Sequence, residues 1–210
     1  MRIKWFSLIR ITGLLLVLLY HFFQTIFPGG FFGVDVFFTF SGFLITSLLL
    51  EEFGKKSQID LLGFFKRRFY RIVPPVVLMV LVTMPFTLLV RQDYVAGIGG
   101  QIAGVFGFVT NFYEMLTGGS YESQFIPHLF VHNWSLAVEV HYYILWGLAV
   151  WFLSKRSKSS SQLRGTVFLL SAGAFILSFF SMFIGSLMAS SYSSVYFSSL
   201  THVYPFFLGS

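Results

Sequence analysis

Phe6–Phe27 reads FSLIRITGLLLVLLYHFFQTIF, an apolar run interrupted by two strongly polar ionisable side chains, Arg10 and His21. About 20 mostly apolar residues suffice to cross a bilayer, so the run predicts a membrane helix. At about 100° per residue, the eleven steps from Arg10 to His21 come within roughly 20° of three full turns. Both side chains therefore share one helix face, about 16 Å apart along the axis. Such a pair is expensive in a membrane unless it faces protein or a water-filled cavity, so it reads as a site. The competing reading is that Arg10 snorkels to the headgroups and His21 is an interfacial residue beside Tyr20.

Composition places the rest of the chain in the same environment. Apolar residues make up 56% of it and charged residues 10%, with 29 phenylalanines. The mean hydropathy is +0.78, whereas a soluble domain carries about 25% charged residues. The 14 Lys and Arg against 8 Asp and Glu call for no nucleic acid, because loop cations that hold helices on the cytoplasmic side account for the excess. With no cysteine, disulfides, thiol catalysis and thiolate metal sites are excluded. Met1–Trp5 precedes the apolar run like a leader, but no small-x-small cleavage site follows, so a retained first helix is expected.

The expected fold is all-α, a polytopic transmembrane bundle of about six to seven apolar spans. The candidates are Phe6–Phe27, Phe31–Leu50, Ile72–Val90, Val95–Leu116, Trp134–Leu153 and Thr166–Ala189, with a seventh run beginning near Val195. Ser157–Ser161 is a short serine-rich turn. Arg2 and Lys4 precede the first run, and Lys55, Lys56, Lys66, Arg67, Arg68 and Arg71 crowd the second connection. Both places should be cytoplasmic. Three further crossings would then put Lys155, Arg156, Lys158 and Arg164 outside, against the rule. Two readings stay open. Either Val95–Leu116, with Gly97, Gly99, Gly100, Gly104 and Gly107, is re-entrant, or the charge rule fails here.

Four constellations carry the chemistry. Arg10 can grip phosphate bidentately, and His21 can take or pass a proton. In FFKRRFYRIVPP (64–75), Arg68 and Arg71 share a face if the stretch is helical. A break is expected before Pro74, and the pair reads as a polyphosphate grip or as lipid anchoring. In HNWSLAVEVHYY (132–143), Asn133 or Ser135 is expected to cap the helix. Glu139 needs a proton or a partner in the membrane, with an arginine strut as the plain alternative. Tyr142 reads as aromatic belt, and His132 and His141 lack metal-ligand spacing. In GVDVFFTFSGF (33–43), Asp35 is the candidate partner of His21 across the turn at Pro28-Gly29-Gly30, while Ser41 and Gly42 read as packing. No phosphate-binding glycine loop, zinc motif or nucleophile elbow is present, so no metal is expected.

The order of these blocks resembles the membrane acyltransferase-3 family. Arg10 with His21, GVDVFFTFSGFLIT, the arginine pair of FFKRRFYRIVPP and NWSLAVEVHYY follow one another, and HNWSLAVEVHYYILWGL is most similar to the peptidoglycan O-acetyltransferases of Gram-positive bacteria. The likeness covers nearly the whole chain. In THVYPFFLGS, His202 stands where many relatives carry arginine.

The resemblance implies a multi-pass protein of the plasma membrane, with the lipid bilayer as its surroundings. It would move an acetyl group from acetyl-CoA, a cytoplasmic acyl-CoA donor used as substrate, to an extracytoplasmic cell-wall glycan. By this likeness His21, Arg10 and Glu139 are the catalytic set, and Arg68 and Arg71 bind the donor. It further implies that residues 1–210 are the N-terminal portion of a membrane acyltransferase domain, truncated and without a soluble domain. A transporter or flippase of an anionic lipid-linked substrate, or an inactive fragment, are the alternatives.

Overall fold

The computed structural model describes residues 4–23, 25–89, 97–117, 128–189 and 192–210. Among these the chain is helix and turn, with no strand. The helices are α1 (Lys4–Phe22), α2 (Gly33–Lys56), α3 (Leu61–Phe86), α4 (Ile98–Phe106), α5 (Thr110–Thr117), α6 (Asn133–Arg156), α7 (Ser160–Met188), α8 (Tyr192–Tyr196) and α9 (Tyr204–Gly209). A 3₁₀ turn at Pro28–Phe32 leads into α2. Among the described residues four helices are long and apolar enough to cross a membrane, Pro28–Lys56, Leu61–Phe86, Asn133–Arg156 and Ser160–Met188, and Leu8–Phe22 is a shorter apolar one. That is fewer spans than the sequence predicts.

Local chemistry sets the ends of these helices. The Asp60 carboxylate accepts from the Gly63 amide at 2.9 Å and caps α3. Ser159 accepts from the Gln162 amide, and the Lys158 amide donates to the Gln162 side chain, so the serine-rich turn is a helix start. α2 ends at Ser57 in the left-handed region (φ 54°), with Lys55 and Lys56 complementing the helix dipole. Two expectations fail. α3 runs unbroken through Pro74 and Pro75. The missing proline amides cost only the helical bonds to the Tyr70 and Arg71 carbonyls, and the flanking turns hold the helix. Neither Asn133 nor Ser135 caps α6, because both side chains donate backward, to the carbonyls of Phe130 and His132.

The expected Val95–Leu116 span resolves into two arms; Val95 itself lies outside the described residues. α4 has 9 residues and α5 has 8, and at about 1.5 Å per residue neither can cross. Val76 and Val80 of α3 pack with Val105, Ile98 and Ile102 of α4. α4 thus descends beside α3 toward a turn at Gly107–Val109, where Phe108 has φ 53°. α5 then returns toward the start of α6, its Glu114 meeting His128 at 2.8 Å. The pair reads as a re-entrant hairpin packed against α3 and α6 on one side, an arrangement a membrane bundle allows where protein lines it. The run near Val195 folds as two short helices, α8 and α9, separated by turns.

This hairpin removes the conflict over charge. Phe53 of α2, Ile59, Phe64 of α3, Val150 of α6 and Leu163 of α7 belong to one buried cluster. The C-terminal ends of α2 and α6 and the N-terminal ends of α3 and α7 therefore lie together. Lys55, Lys56, Lys66 and Arg67 gather with Lys155, Arg156, Lys158 and Arg164 at one end of the bundle. The positive-inside rule assigns that end to the cytoplasm. The outward faces are apolar, as at Leu88 (88% exposed) and Met188 (81%), and only lipid suits so much exposed hydrocarbon.

α9 packs into α2 at backbone range. A Cβ built on Gly42 would lie 1.9 Å from the Phe206 carbonyl oxygen, and one on Gly209 would lie 1.9 Å from that of Thr39. Gly42 is thus the packing residue that its sequence context predicts. Gly42→Ala should destabilise the fold by about 1–3 kcal/mol, read as a lowered unfolding temperature in detergent. Gly165→Ala, inside α7 with nothing within 4 Å of its Cβ, should not lower the temperature and should raise it slightly through helix propensity. Because the sequence has no cysteine, single cysteines at Ser57 and Ser157 can be labelled without background. Both should react with a membrane-impermeant maleimide only from the cytoplasmic side, and opposite sidedness would overturn the hairpin topology.

Candidate active site

The shared face of α1 looks at α2. The Arg10 guanidinium carbon stands 4.7 Å over the Phe40 ring, and His21 and Arg10 line two neighbouring cavities of which α2 forms a wall. Close approach of the helices makes this facing possible. Gly33 admits the Gly13 carbonyl, and Gly30 admits that of Leu16. His21 Nδ1 is 2.7 Å from the Val17 carbonyl oxygen. A carbonyl only accepts, so Nδ1 carries the hydrogen and the basic lone pair lies on Nε2. The His132 ring meets the His21 ring edge-on at 4.9 Å between centroids. Sequence spacing, more than a hundred residues between them, gave no signal of that pairing.

The outer cavity, of about 580 Å³, holds His21, His132, Trp134, Ser135 and, at its floor, Ser41 and Glu139. A second, of about 320 Å³, lies on the cytoplasmic side of these last two and is lined by Arg10, Arg71, Tyr143 and Pro75. Phe37, Ser41, Leu136 and Glu139 line both. A third cavity, of about 490 Å³, shares Ile72 and Tyr143 with the second and includes Arg68 and Phe108, the tip of the re-entrant hairpin. Arg68 also borders a cytoplasmic cleft of about 420 Å³ with Glu52, Lys56 and Arg67. The cavities form a file from the cationic end to His21.

Glu139 sits where the file narrows. Its Oε1 accepts from the Ser41 hydroxyl at 2.6 Å and from the Tyr143 hydroxyl. Two hydroxyl donors meet the carboxylate's need for hydrogen bonds in an apolar bundle, in place of the arginine strut. Ser41, read from sequence as a packing residue, is a polar member of the site. Arg68 and Arg71 divide between cavities: Arg71 joins Arg10, and Arg68 opens to the third cavity and the cleft. The buried Nε of Arg68 has no hydrogen-bond partner among the described residues.

Asp35 is held elsewhere than expected. Its Oδ1 lies 2.7 Å from His202 Nε2, and its Oδ2 accepts from the Tyr204 hydroxyl at 3.4 Å. Both oxygens are thus engaged by the α9 end of the chain, and the expected pairing with His21 gives way to one with His202. His202, only 1% exposed, has its Nδ1 at 2.8 Å from the Tyr196 carbonyl. That carbonyl fixes a hydrogen on Nδ1, so a single proton links Nε2 to Asp35. Trp134 and Tyr204 stack on the imidazole. Tyr142, expected in an aromatic belt, is buried, stacked on Phe206 and bonded to Ser210. His141 Nδ1 is 2.8 Å from Ser199. Among the described residues no group of three or more His, Cys, Asp or Glu could hold a metal.

Comparison with known proteins places this arrangement. The chain is 32% identical over 201 residues to O-acetyltransferase OatA of Staphylococcus aureus strain NCTC 8325, covering 96% of this chain and 32% of OatA. It is 33% identical over 202 residues to a protein of S. aureus strain COL named "Putative O-acetyltransferase SACOL0978", covering 96% of this chain and 33% of that one. The chain spans about a third of the length of these curated relatives. No solved structure matches it. Residues 3–210 match a family model described as an acyltransferase domain, and the chain belongs to the acyltransferase-3 family.

Proposed function

We propose that the protein is a plasma-membrane O-acetyltransferase that takes acetyl from cytoplasmic acetyl-CoA and delivers it to a carbohydrate hydroxyl outside, with peptidoglycan as the acceptor. One observation carries the reading. A file of cavities joins an arginine-lined inner end to a histidine at the outer end, with a carboxylate between them. A charged coenzyme stays inside and the wall is outside, so an acetyl group must pass through a layer about 30 Å thick. The file supplies a protein-lined course for it. O-acetyl transfer by the relatives, as their names give it, supports the same chemistry.

The roles follow from the side chains. Arg10 and Arg71 face one cavity and offer guanidinium forks for phosphate. Arg68, with its unengaged buried Nε, borders the way in. His21, with its lone pair on Nε2, acts as general base toward the acceptor hydroxyl. Glu139, between the two, is the acid–base group nearest the transfer path.

Acetyl-CoA turnover by the full-length protein tests this. His21→Ala should lower thiol release in the presence of acceptor by about 100-fold or more, with membrane insertion unchanged. Undiminished turnover would remove His21 from the chemistry, and absence of thiol release by the unaltered protein would favour a carrier of anionic lipid-linked substrates. Arg68→Ala should weaken donor affinity by about tenfold, and Arg68→Lys should weaken it less because the charge survives while the fork is lost. Equal affinity in both variants and the parent would return Arg68 to lipid anchoring.

A further inference from the structure

The donor and acceptor ends of the site line adjoining cavities. Arg10 and Arg71 line the inner one, His21 and His132 the outer one, and neither pair reaches into the other chamber. Four residues, Phe37, Ser41, Leu136 and Glu139, form the boundary by lining both. Two of the four are apolar walls. The other two are a hydroxyl and a carboxylate already hydrogen-bonded at 2.6 Å, within the reach that a nucleophile and its base require.

We infer that Ser41 is a covalent acetyl carrier, loaded from the inner chamber and unloaded into the outer one. The inference rests on the proposed acetyl-CoA-dependent transfer and adds the residue that bridges its two halves. Loading forms an oxyester. Ser41 Oγ attacks the thioester carbonyl carbon while its proton passes to the Glu139 carboxylate. The carbon–sulfur bond breaks, and the departing coenzyme thiolate takes that proton from Glu139 and leaves as thiol. Unloading runs from the other side. An acceptor hydroxyl attacks the acetyl-serine carbonyl while His21 Nε2 takes its proton. The carbon–oxygen bond to Ser41 breaks, and the His21 imidazolium returns the proton to the serine oxygen. The sum is thioester plus alcohol giving thiol plus ester, with no other reactant. A serine ester is small and neutral, so it suits an apolar boundary where a phosphorylated donor does not.

Two neighbouring hydroxyls make the claim specific. Tyr143 also donates to Glu139 but lines the inner chambers and not the outer one. Ser135 lines the outer chamber and not the inner one. Neither touches both sides.

The test is trapping in the full-length protein, incubated in proteoliposomes with acetyl-labelled acetyl-CoA and a soluble peptidoglycan fragment as acceptor, then digested and sequenced by mass spectrometry. His21→Gln should accumulate label on the peptide carrying Ser41, several-fold over the parent, because loading survives and unloading fails. Ser41→Ala should carry no label and lose transfer by 100-fold or more. Ser41→Cys should carry label that neutral hydroxylamine removes, as a thioester requires. Because the His21 variant leaves position 41 intact, misfolding of the serine variants cannot mask the result. Transfer by Ser41→Ala at the parental rate, or label on Tyr143 or Ser135 in the His21 variant, overturns the carrier and leaves the acetyltransferase reading standing. Absence of thiol release by the parent overturns both.

Discussion

A carboxylate within an apolar bundle costs several kcal/mol unless hydrogen bonds satisfy it, and Glu139 meets that cost by taking hydroxyls from two helices. Ser41 comes from α2 and Tyr143 from α6 itself. The bond between α2 and α6 is therefore also the division between the two main cavities. Structure and chemistry share one group here. An apolar side chain at position 139 would take away the carboxylate to which Ser41 and Tyr143 both donate.

Around that boundary the helices come unusually close, and small residues allow it. Gly13, Gly30 and Gly33 bring α1 against the start of α2, while Gly42 and Gly209 bring α9 against its middle. With the backbones in contact, side chains such as Arg10 and Phe40 are left to face one another instead of lipid. At the outer end the bundle is closed by charge rather than by shape. Asp35, His202 and the Tyr196 carbonyl form one line of hydrogen bonds from α2 to α8.

Much of the fold could be read in the residues. Four long apolar runs become long helices near their expected places, and the glycine-rich run at Val95–Leu116 was one of two explanations for the misplaced cations. The glycines and the charge balance pointed the same way, because a segment that cannot stay helical across a bilayer must either turn back or expose its backbone. The prolines misled for a related reason. Pro74 and Pro75 disfavour helix in isolation, but a membrane helix has no water to reward the alternative, so α3 passes through them. Arg10, His21 and Glu139 stood out in the sequence because ionisable groups in a span need a reason, and the structure sets them along adjoining cavities. The roles of Ser41 and His132 did not stand out, since a serine among phenylalanines and a histidine at a helix start are ordinary in sequence.

By itself the sequence determined that the chain lives in a membrane, that Arg10 and His21 share a helix face, and that the cations crowd a few connections. Those follow from local quantities: hydropathy, helical pitch and the count of charges in each connection. Only the tertiary structure decided that Asp35 answers to His202, that Ser41 bonds Glu139, and that two cavities meet between them. Each of these joins residues about a hundred or more positions apart, and which of several polar side chains will meet is fixed by how closely the helices can approach, a property of the packed bundle and not of any one stretch of chain.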